Sequence, residues 1–391
     1  MIFTIGFFLM LSTADVRAGG MSMVIYQRLQ AVEELIRQEQ YQTAEARLDE
    51  LLADMPARSE DRAYIYYTAG MLHLQQSDFQ KADPLLTAAY NVGGFPDKTG
   101  LYILQTLAGL SMQAKEYATA ARYYRQYIDL APEPDPNAWL GLGTAGYYLN
   151  DHPLAIRTLT HAVRLFPENE MIHFMLFSSY YETGQLEQAS AVMEKLVRRW
   201  PEKPNYWRQL CSIYLERRQQ WKALEIMEPA YVKGILSSEQ DILQFVHTLY
   251  EERLPYKAAG VLQLAMDRNM VAKSCMNYEW LSTLYQEAKE RTEAIRALQS
   301  AAVLSKDGRN DLCIAQLYYD MESEYHNVIK HAKLACEKGI PQAGDAEMLI
   351  AIAYHELDQY EDARKYFMQA SRYAETREPA TQWLHFLESI P

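Results

Sequence analysis

The chain has 391 residues, of which 49% are hydrophobic and 23% are charged, so it can bury a large core and is not of the disordered type. Only 17 glycines and 15 prolines occur, which argues against an all-β chain built from many tight turns. The formal net charge of −13 disfavours a nucleic-acid partner, because an acidic protein repels a phosphate backbone.

The first predicted element is an apolar run at residues 2–12. A run of this length is too short to span a bilayer but is typical of the core of a secretory signal peptide. Val16 and Ala18 place small residues just before a cleavage point at Gly19. We therefore expect residues 1–18 to be a signal peptide and the mature protein to be periplasmic, with no integral membrane segment.

One element of a signal peptide is missing, because no Lys or Arg precedes the apolar run. The true start then lies upstream, or translation begins at Met21 or Met23. In the second case the protein would be cytoplasmic, and this alternative stays open.

A small residue recurs through the rest of the chain at a nearly fixed spacing. Steps of 34 to 38 residues separate its successive occurrences. The series is Ala44, Ala82, Ala120, Ala155, Ala189, Ala223, Ala258, Ala294, Val328 and Ala363. A period in this range is the signature of a repeat architecture.

Other positions keep the same register around the small residue. A large apolar residue follows it by four positions, as at Leu159 and Leu262, and a second small residue precedes it by twelve, as at Gly70 and Gly143. Residues four apart lie on one helical face. The pattern therefore predicts two antiparallel helices in each repeat, with small residues where their backbones approach.

This register resembles the tetratricopeptide repeat (TPR), most fully in the fourth repeat with Trp139, Gly143, Ala155 and Pro167. The resemblance implies an all-α fold, a right-handed α–α superhelix (TPR solenoid) of about ten helix pairs with a C-terminal capping helix at residues 379–388. It implies one domain over residues 19–391. The repeats are predicted at residues 25–58, 63–96, 101–134, 136–169, 170–203, 204–237, 239–272, 275–308, 309–342 and 344–377.

Motifs of catalysis or cofactor binding lack the context that they need. The segment Gly141–Gly146 spells GxGxxG, but a dinucleotide site requires a preceding strand, and this segment lies within a predicted helix. His355 and Glu356 begin like a zinc-protease motif without its second histidine. We therefore predict no enzyme activity, no cofactor and no metal site.

Two of the four cysteines are candidates for a disulfide. Cys313 lies early in the first helix of the ninth repeat, and Cys336 ends the second helix. Antiparallel packing would bring these ends together, and an exported protein would meet oxidising conditions. Two free thiols are the alternative. Cys211 occupies a small packing position and is expected to be a buried thiol.

The resemblance also implies a binding surface, since first helices line the concave groove of such repeats. Positions two, five, nine and twelve of a repeat typically face that groove. Carried over onto repeats two to five, with the adjoining Tyr148 and with Arg208 and Tyr250 further along, the partner-binding residues are predicted to be Tyr64, Tyr67, Met71, Tyr102, Gln105, Met112, Tyr147, Tyr148, Phe174, Ser178, Tyr181, Arg208 and Tyr250. Aromatic and Met side chains with few charges are typical of an interface core, so we expect a protein or peptide partner. The alternative is that these rings pack against neighbouring helices.

A narrower resemblance concerns the biological system. The segments Tyr66–Gly70 and Asn310–Cys313, in a secreted chain of divergent repeats, are similar to those of periplasmic TPR proteins encoded with bacterial TonB, ExbB and ExbD components. This resemblance implies an accessory role in TonB-dependent energy transduction and uptake of iron complexes. The alternatives are an exported scaffold for envelope or secretion-complex assembly and a cytosolic TPR regulator that binds peptides.

Overall fold

The computed structural model describes residues 21–56, 59–322 and 324–388. Over these ranges the chain forms 21 α-helices and no β-strand, which confirms the predicted all-helical fold. The residues group into two compact units, Met1–Arg199 (unit 1) and Trp200–Pro391 (unit 2), and each is described by itself. A single domain over residues 19–391 stays a prediction.

Unit 1 contains ten helices in five antiparallel pairs within its described residues. They are α1 (Met23–Arg37), α2 (Tyr41–Asp54), α3 (Asp61–Gln75), α4 (Phe79–Val92), α5 (Asp97–Gln113), α6 (Tyr117–Leu130), α7 (Pro136–Tyr148), α8 (His152–Leu165), α9 (Glu170–Glu182) and α10 (Leu186–Arg199). The first helices of the pairs are α1, α3, α5, α7 and α9.

Unit 2 contains five further pairs and a last single helix in its described residues. They are α11 (Pro204–Glu216), α12 (Gln220–Val232), α13 (Glu239–Glu251), α14 (Pro255–Asp267), α15 (Cys275–Glu287), α16 (Arg291–Leu304), α17 (Arg309–Tyr319), α18 (Tyr325–Lys338), α19 (Ala343–Glu356), α20 (Tyr360–Ala370) and α21 (Arg377–Glu388). Helix α21 packs on α20, where the rings of Trp383 and Phe367 stack with centroids 5.3 Å apart.

The periodic small residue lies in the core of every repeat. All ten members of the series, Ala44, Ala82, Ala120, Ala155, Ala189, Ala223, Ala258, Ala294, Val328 and Ala363, have no exposed surface. The second small residue of each repeat packs against the large apolar residue of the partner helix. A Cβ added at Gly70 would lie 2.7 Å from Leu86 Cδ2, and one added at Gly143 would lie 2.6 Å from Leu159 Cδ2. Small residues are therefore required where the paired helices meet.

The GxGxxG segment is part of this packing. It lies within α7, with no strand before it in the described residues, so it has the context of a helix contact and not of a nucleotide loop. A Cβ on Gly141 would lie 2.5 Å from Tyr124 Cε2, and one on Gly146 would lie 3.1 Å from the backbone nitrogen of Ala155. Its glycines let neighbouring helices approach closely.

Each pair turns through one residue in the left-handed region. These residues, with φ between 54° and 69°, are Glu39, Ser77, Lys115, Asn150, Gly184, Arg218, Arg253, Lys289, Glu322 and Asp358. After α1, the amide of Glu39 donates to the Ile36 carbonyl at 3.0 Å and that of Gln40 donates to the Leu35 carbonyl at 2.9 Å. This is the Schellman motif, which satisfies the carbonyls at a helix end.

Most of these turns carry a side chain where glycine is the least strained residue, which gives a first prediction. Gly184 (φ 69°) has nothing within 4 Å of an added Cβ, so Gly184→Ala adds only backbone strain and should lower the free energy of unfolding by about 1 kcal/mol. Lys289→Gly (φ 63°) should raise it by a similar amount. Urea unfolding followed by circular dichroism measures the free energy of unfolding of both variants. Changes of the same sign would contradict a left-handed conformation at these two turn positions.

No helix in the described ranges is both long and apolar enough to cross a membrane. Nor do those ranges bring together three His, Cys, Asp or Glu side chains in a way that suits a metal ion.

Candidate partner-binding surface

Five aromatic residues on three successive first helices of unit 1 form the aromatic strip: Tyr102 on α5, Tyr147 and Tyr148 on α7, and Phe174 and Tyr181 on α9. Tyr148 is 53% exposed and Tyr181 is 40% exposed, whereas the other three are partly buried. All five belong to the predicted binding set. The structure therefore leaves part of that set accessible to a partner.

The rings of the strip are braced by other aromatic side chains. Tyr148 stacks on Tyr117 with centroids 4.8 Å apart and meets Tyr147 edge to face at 5.5 Å. Phe177 lies 5.9 Å from Phe174 and 6.1 Å from Tyr181. Rings held in this way lose little freedom when a partner binds, so their contact area costs less entropy than that of flexible side chains.

Three members of the predicted set belong to the core. Tyr64 is fully buried, Tyr67 is 2% exposed and Met71 is 6% exposed, and a binding role for these three residues stays a prediction. The loop after α4 contributes to the burial of the two tyrosines, because it places the ring of Phe95 4.8 Å from that of Tyr64 and 5.9 Å from that of Tyr67. The Tyr64 hydroxyl donates to the Gly94 carbonyl at 3.0 Å.

Three members of the predicted binding set that carry no aromatic ring lie on the first helices α5 and α9. Gln105, Met112 and Ser178 are all partly buried. The Gln105 amide donates to Asp135 Oδ2 at 3.3 Å, and Asp135 caps the start of α7 through the amide of Asn137. Gln105 therefore has a structural role in joining two repeats.

In unit 2 the predicted residues are Arg208 and Tyr250. Arg208 on α11 makes a bidentate pair with Asp241 on α13, with N–O distances of 2.8 and 2.9 Å. Its guanidinium thus joins two first helices of this unit. Tyr250 is 38% exposed. A binding role for either residue stays a prediction.

A depression on the first helices of unit 2 was not among the predicted positions. It is lined by Ser238, Glu239, Gln240, Leu243, Gln244, His247 and Trp280. Gln240, Leu243 and His247 fall at positions two, five and nine of the seventh repeat, from which the prediction took only Tyr250, so the positional rule applied in full to that repeat would have found them.

The same rule would have found Glu33, which is position nine of the first repeat. Glu33 lies on α1 and is only 8% exposed. Burial raises the pKa of its carboxyl, and the charge of Arg37 opposes that shift. Its place at position nine of the first repeat makes Glu33 a further candidate for the binding surface.

All four cysteines are free thiols in the structure. The ends of α17 and α18 do come together, because a Cβ on Gly308 would lie 2.6 Å from the Ala335 Cα. Burial, followed by Glu347 and Glu337, raises the pKa of Cys336 to about 11, and burial together with Glu279 raises the pKa of Cys313. Protonated thiols react slowly. The Cys313–Cys336 bridge stays a prediction.

Helix pairs joined by one repeated turn, with an aromatic strip that is exposed in part on three first helices of unit 1, define a helical-repeat scaffold. Comparison with protein families identifies the type of repeat. Residues 108–170 in unit 1 and residues 348–377 in unit 2 match models described as tetratricopeptide repeat. Both units therefore contain tetratricopeptide repeats, and repeats of this kind form scaffolds for protein–protein or peptide interaction.

None of the curated proteins matches the chain in sequence. Among solved structures, that of Naa15/Naa10 bound to HypK-THB is similar over 90% of this chain, with 14% identity and a TM-score of 0.48, and the chain spans 58% of that protein's chain. The TPR protein YrrB, which has an unusual peptide-binding site, is 17% identical over 49% of this chain and 92% of its own, with a TM-score of 0.37. MamA from Desulfovibrio magneticus RS-1 is 19% identical over 44% of this chain and 94% of its own, with a TM-score of 0.35. Similarities this low carry no information about a ligand or partner.

Proposed function

We propose that the protein is a non-catalytic scaffold that binds a protein segment along the aromatic strip of unit 1. The observation that carries this proposal is the grouping of the exposed Tyr148 and Tyr181 with three further rings on successive first helices, since grouped exposed rings mark an interaction site more often than single ones do. Aromatic residues on a preformed surface are frequent anchors of protein interfaces.

We further propose that the protein works in the periplasm as an accessory of TonB-dependent energy transduction and uptake of iron complexes. The apolar run at residues 2–12 supports export, although it lies outside the described residues. The segments Tyr66–Gly70 and Asn310–Cys313 support the narrower assignment by their resemblance to proteins encoded with TonB, ExbB and ExbD. An exported scaffold for envelope or secretion complexes would share the same binding surface.

The alternative is a cytosolic peptide-binding regulator. It would hold if the apolar N-terminus were retained or if translation started at Met21, which is 5% exposed in the core of unit 1. A protein that starts there would keep every described helix.

Export predicts a defined N-terminus of the mature protein. When the full chain is expressed in a Gram-negative host, mass spectrometry of the periplasmic fraction should find a protein that begins at Gly19. Retention in the cytoplasm with an intact or internal Met start would favour the regulator instead.

Affinity capture of envelope proteins on the mature chain then tests the proposed role in TonB-dependent transport. Detergent-solubilised envelopes that contain TonB, ExbB and ExbD should yield at least one of these proteins on the wild-type chain and less on a chain carrying Tyr148→Ala and Tyr181→Ala. Failure to retain any of the three would remove the TonB assignment and leave the general scaffold role.

A further inference from the structure

The depression on the first helices of unit 2 lies between α13 and α15, outside the aromatic strip. It is open to solvent and has a volume of about 720 Å³, a size that is typical of ligand sites. Leu243 on α13 and Trp280 on α15 are partly buried and form its apolar part. Met276, one turn before Trp280 on the same face of α15, is 71% exposed and extends the apolar surface.

A carboxylate is held in place in the same depression. Glu239 lies in the first turn of α13 and is exposed. Its Oε1 accepts a hydrogen bond of 2.9 Å from the backbone amide of Ala272, which belongs to the loop before α15. A carboxylate has about four acceptor positions, so this bond fixes the group and leaves it able to accept from a further donor.

The two helices that form the depression are acidic. Helices α13 and α15 contain no Lys or Arg, and their carboxylates are those of Glu239, Asp241, Glu251, Glu279 and Glu287. In the described part of the chain only Asp241 pairs with a Lys or Arg side chain, that of Arg208. The charge of this surface therefore favours a cationic partner.

The start of α13 does not favour an anion, although a helix N-terminus often does. The Ser238 hydroxyl accepts from the Asp241 amide at 3.2 Å, and the Asp241 carboxylate accepts from the Ser238 amide at 3.3 Å. This capping box occupies two of the amides, and the carboxylates of Glu239 and Asp241 repel an incoming anion. A fixed carboxylate and an indole ring in one depression instead suit an ammonium or guanidinium group.

We propose that this depression binds a Lys or Arg side chain of a basic protein segment. The cation lies against the ring of Trp280 and pairs with Glu239, and the apolar stem of the side chain contacts Leu243. The inference adds a second binding surface, on unit 2, and does not depend on the aromatic strip of unit 1.

A display library of randomised peptides tests the proposal. It is selected on a mature chain that carries Tyr148→Ala and Tyr181→Ala, so that two anchors of the aromatic strip are absent. The enriched peptides should carry Lys or Arg at one fixed position. Replacing that residue by norleucine, which keeps an apolar stem and removes the charge, should weaken binding by about tenfold or more.

Two substitutions in this chain locate the site, and each has a matched control. Glu239→Gln keeps an oxygen for the Ala272 amide and removes the charge, so it should weaken the peptide about tenfold and abolish the preference for Lys or Arg. Glu287→Gln, at the other end of α15, should leave the affinity within about twofold. Trp280→Ala should weaken the peptide by about tenfold or more, whereas Trp221→Ala, which removes a 59% exposed ring from α12, should not.

The outcomes separate this inference from the proposed function. Enriched peptides without a fixed basic position, or a basic preference that survives either Glu239→Gln or Trp280→Ala, overturn the inference. A library from which the chain with Tyr148→Ala and Tyr181→Ala enriches nothing also overturns it, and peptides enriched by the wild type would then still support the aromatic strip. If both chains enrich the same peptides with equal affinity, binding along the aromatic strip fails and the variants of α13 and α15 still decide this inference.

Discussion

Gly308→Ala is expected to lower the free energy of unfolding of unit 2 by about 2–3 kcal/mol. Gly308 precedes α17, and a Cβ at this position would lie 2.6 Å from the Ala335 Cα and also collide with the Ala335 carbonyl oxygen. Both obstacles are backbone atoms of α18, so no side-chain rotation relieves the clash. The pair α17–α18 has to separate to accept a single methyl group.

Gly260→Ala is the matched control. Gly260 lies in the interior of α14 and has nothing within 4 Å of an added Cβ. The substitution should raise the free energy of unfolding by up to about 1 kcal/mol, because alanine restricts the unfolded chain and favours a helix. Hydrogen exchange by mass spectrometry suits both variants, since repeat arrays can unfold in parts. If Gly308→Ala left the exchange protection of α17 and α18 unchanged, the close approach of Gly308 to the backbone of α18 would be refuted.

The double variant Tyr148→Ala with Tyr181→Ala is expected to weaken binding of a peptide, selected on the mature chain from a display library of randomised sequences, by about 30-fold or more, which corresponds to about 2 kcal/mol. Both rings are at least 40% exposed, so their loss removes contact area for the partner without opening a cavity in the core. Isothermal titration calorimetry measures the affinity, and circular dichroism checks that the helix content is kept.

Tyr256→Ala is the control for this variant. Tyr256 is 67% exposed but lies on α14, the second helix of its pair, in unit 2. Its removal should leave the affinity within about twofold of the wild type. If Tyr256→Ala weakened the peptide as much as the double variant did, binding along the aromatic strip would be wrong.

The repeat architecture could be predicted because one physical demand returns in every repeat. Where two helices meet closely the chain needs a small residue, and that demand leaves the same residue type at the same spacing. The structure confirms it at both ends of the chain, since Ala44 and Ala363 are equally buried. The turns within the pairs could not be predicted in this way. Their left-handed position is usually occupied by glycine, but here it is occupied by residues such as Lys115, Arg253 and Glu322.

The candidate site could be predicted only in part. The positional rule placed Tyr181 on an accessible surface, and Tyr148 was added to the set because it adjoins Tyr147, but the rule took no account of the loop after α4. That loop brings Phe95 against Tyr64 and Tyr67, a contact between residues about thirty positions apart that has no periodic trace in the sequence. Glu33 was missed because an isolated acidic residue on a helix is usually solvated, and only the packed structure shows its burial.

Hydroxyl-radical footprinting of the mature chain with and without its selected peptide tests most directly whether the aromatic strip of unit 1 is the binding surface. Oxidation of Tyr148 and Tyr181 should fall sharply when the peptide is bound, while that of Tyr256 should not change. A bound peptide that leaves Tyr148 and Tyr181 as reactive as in the free protein would contradict the account.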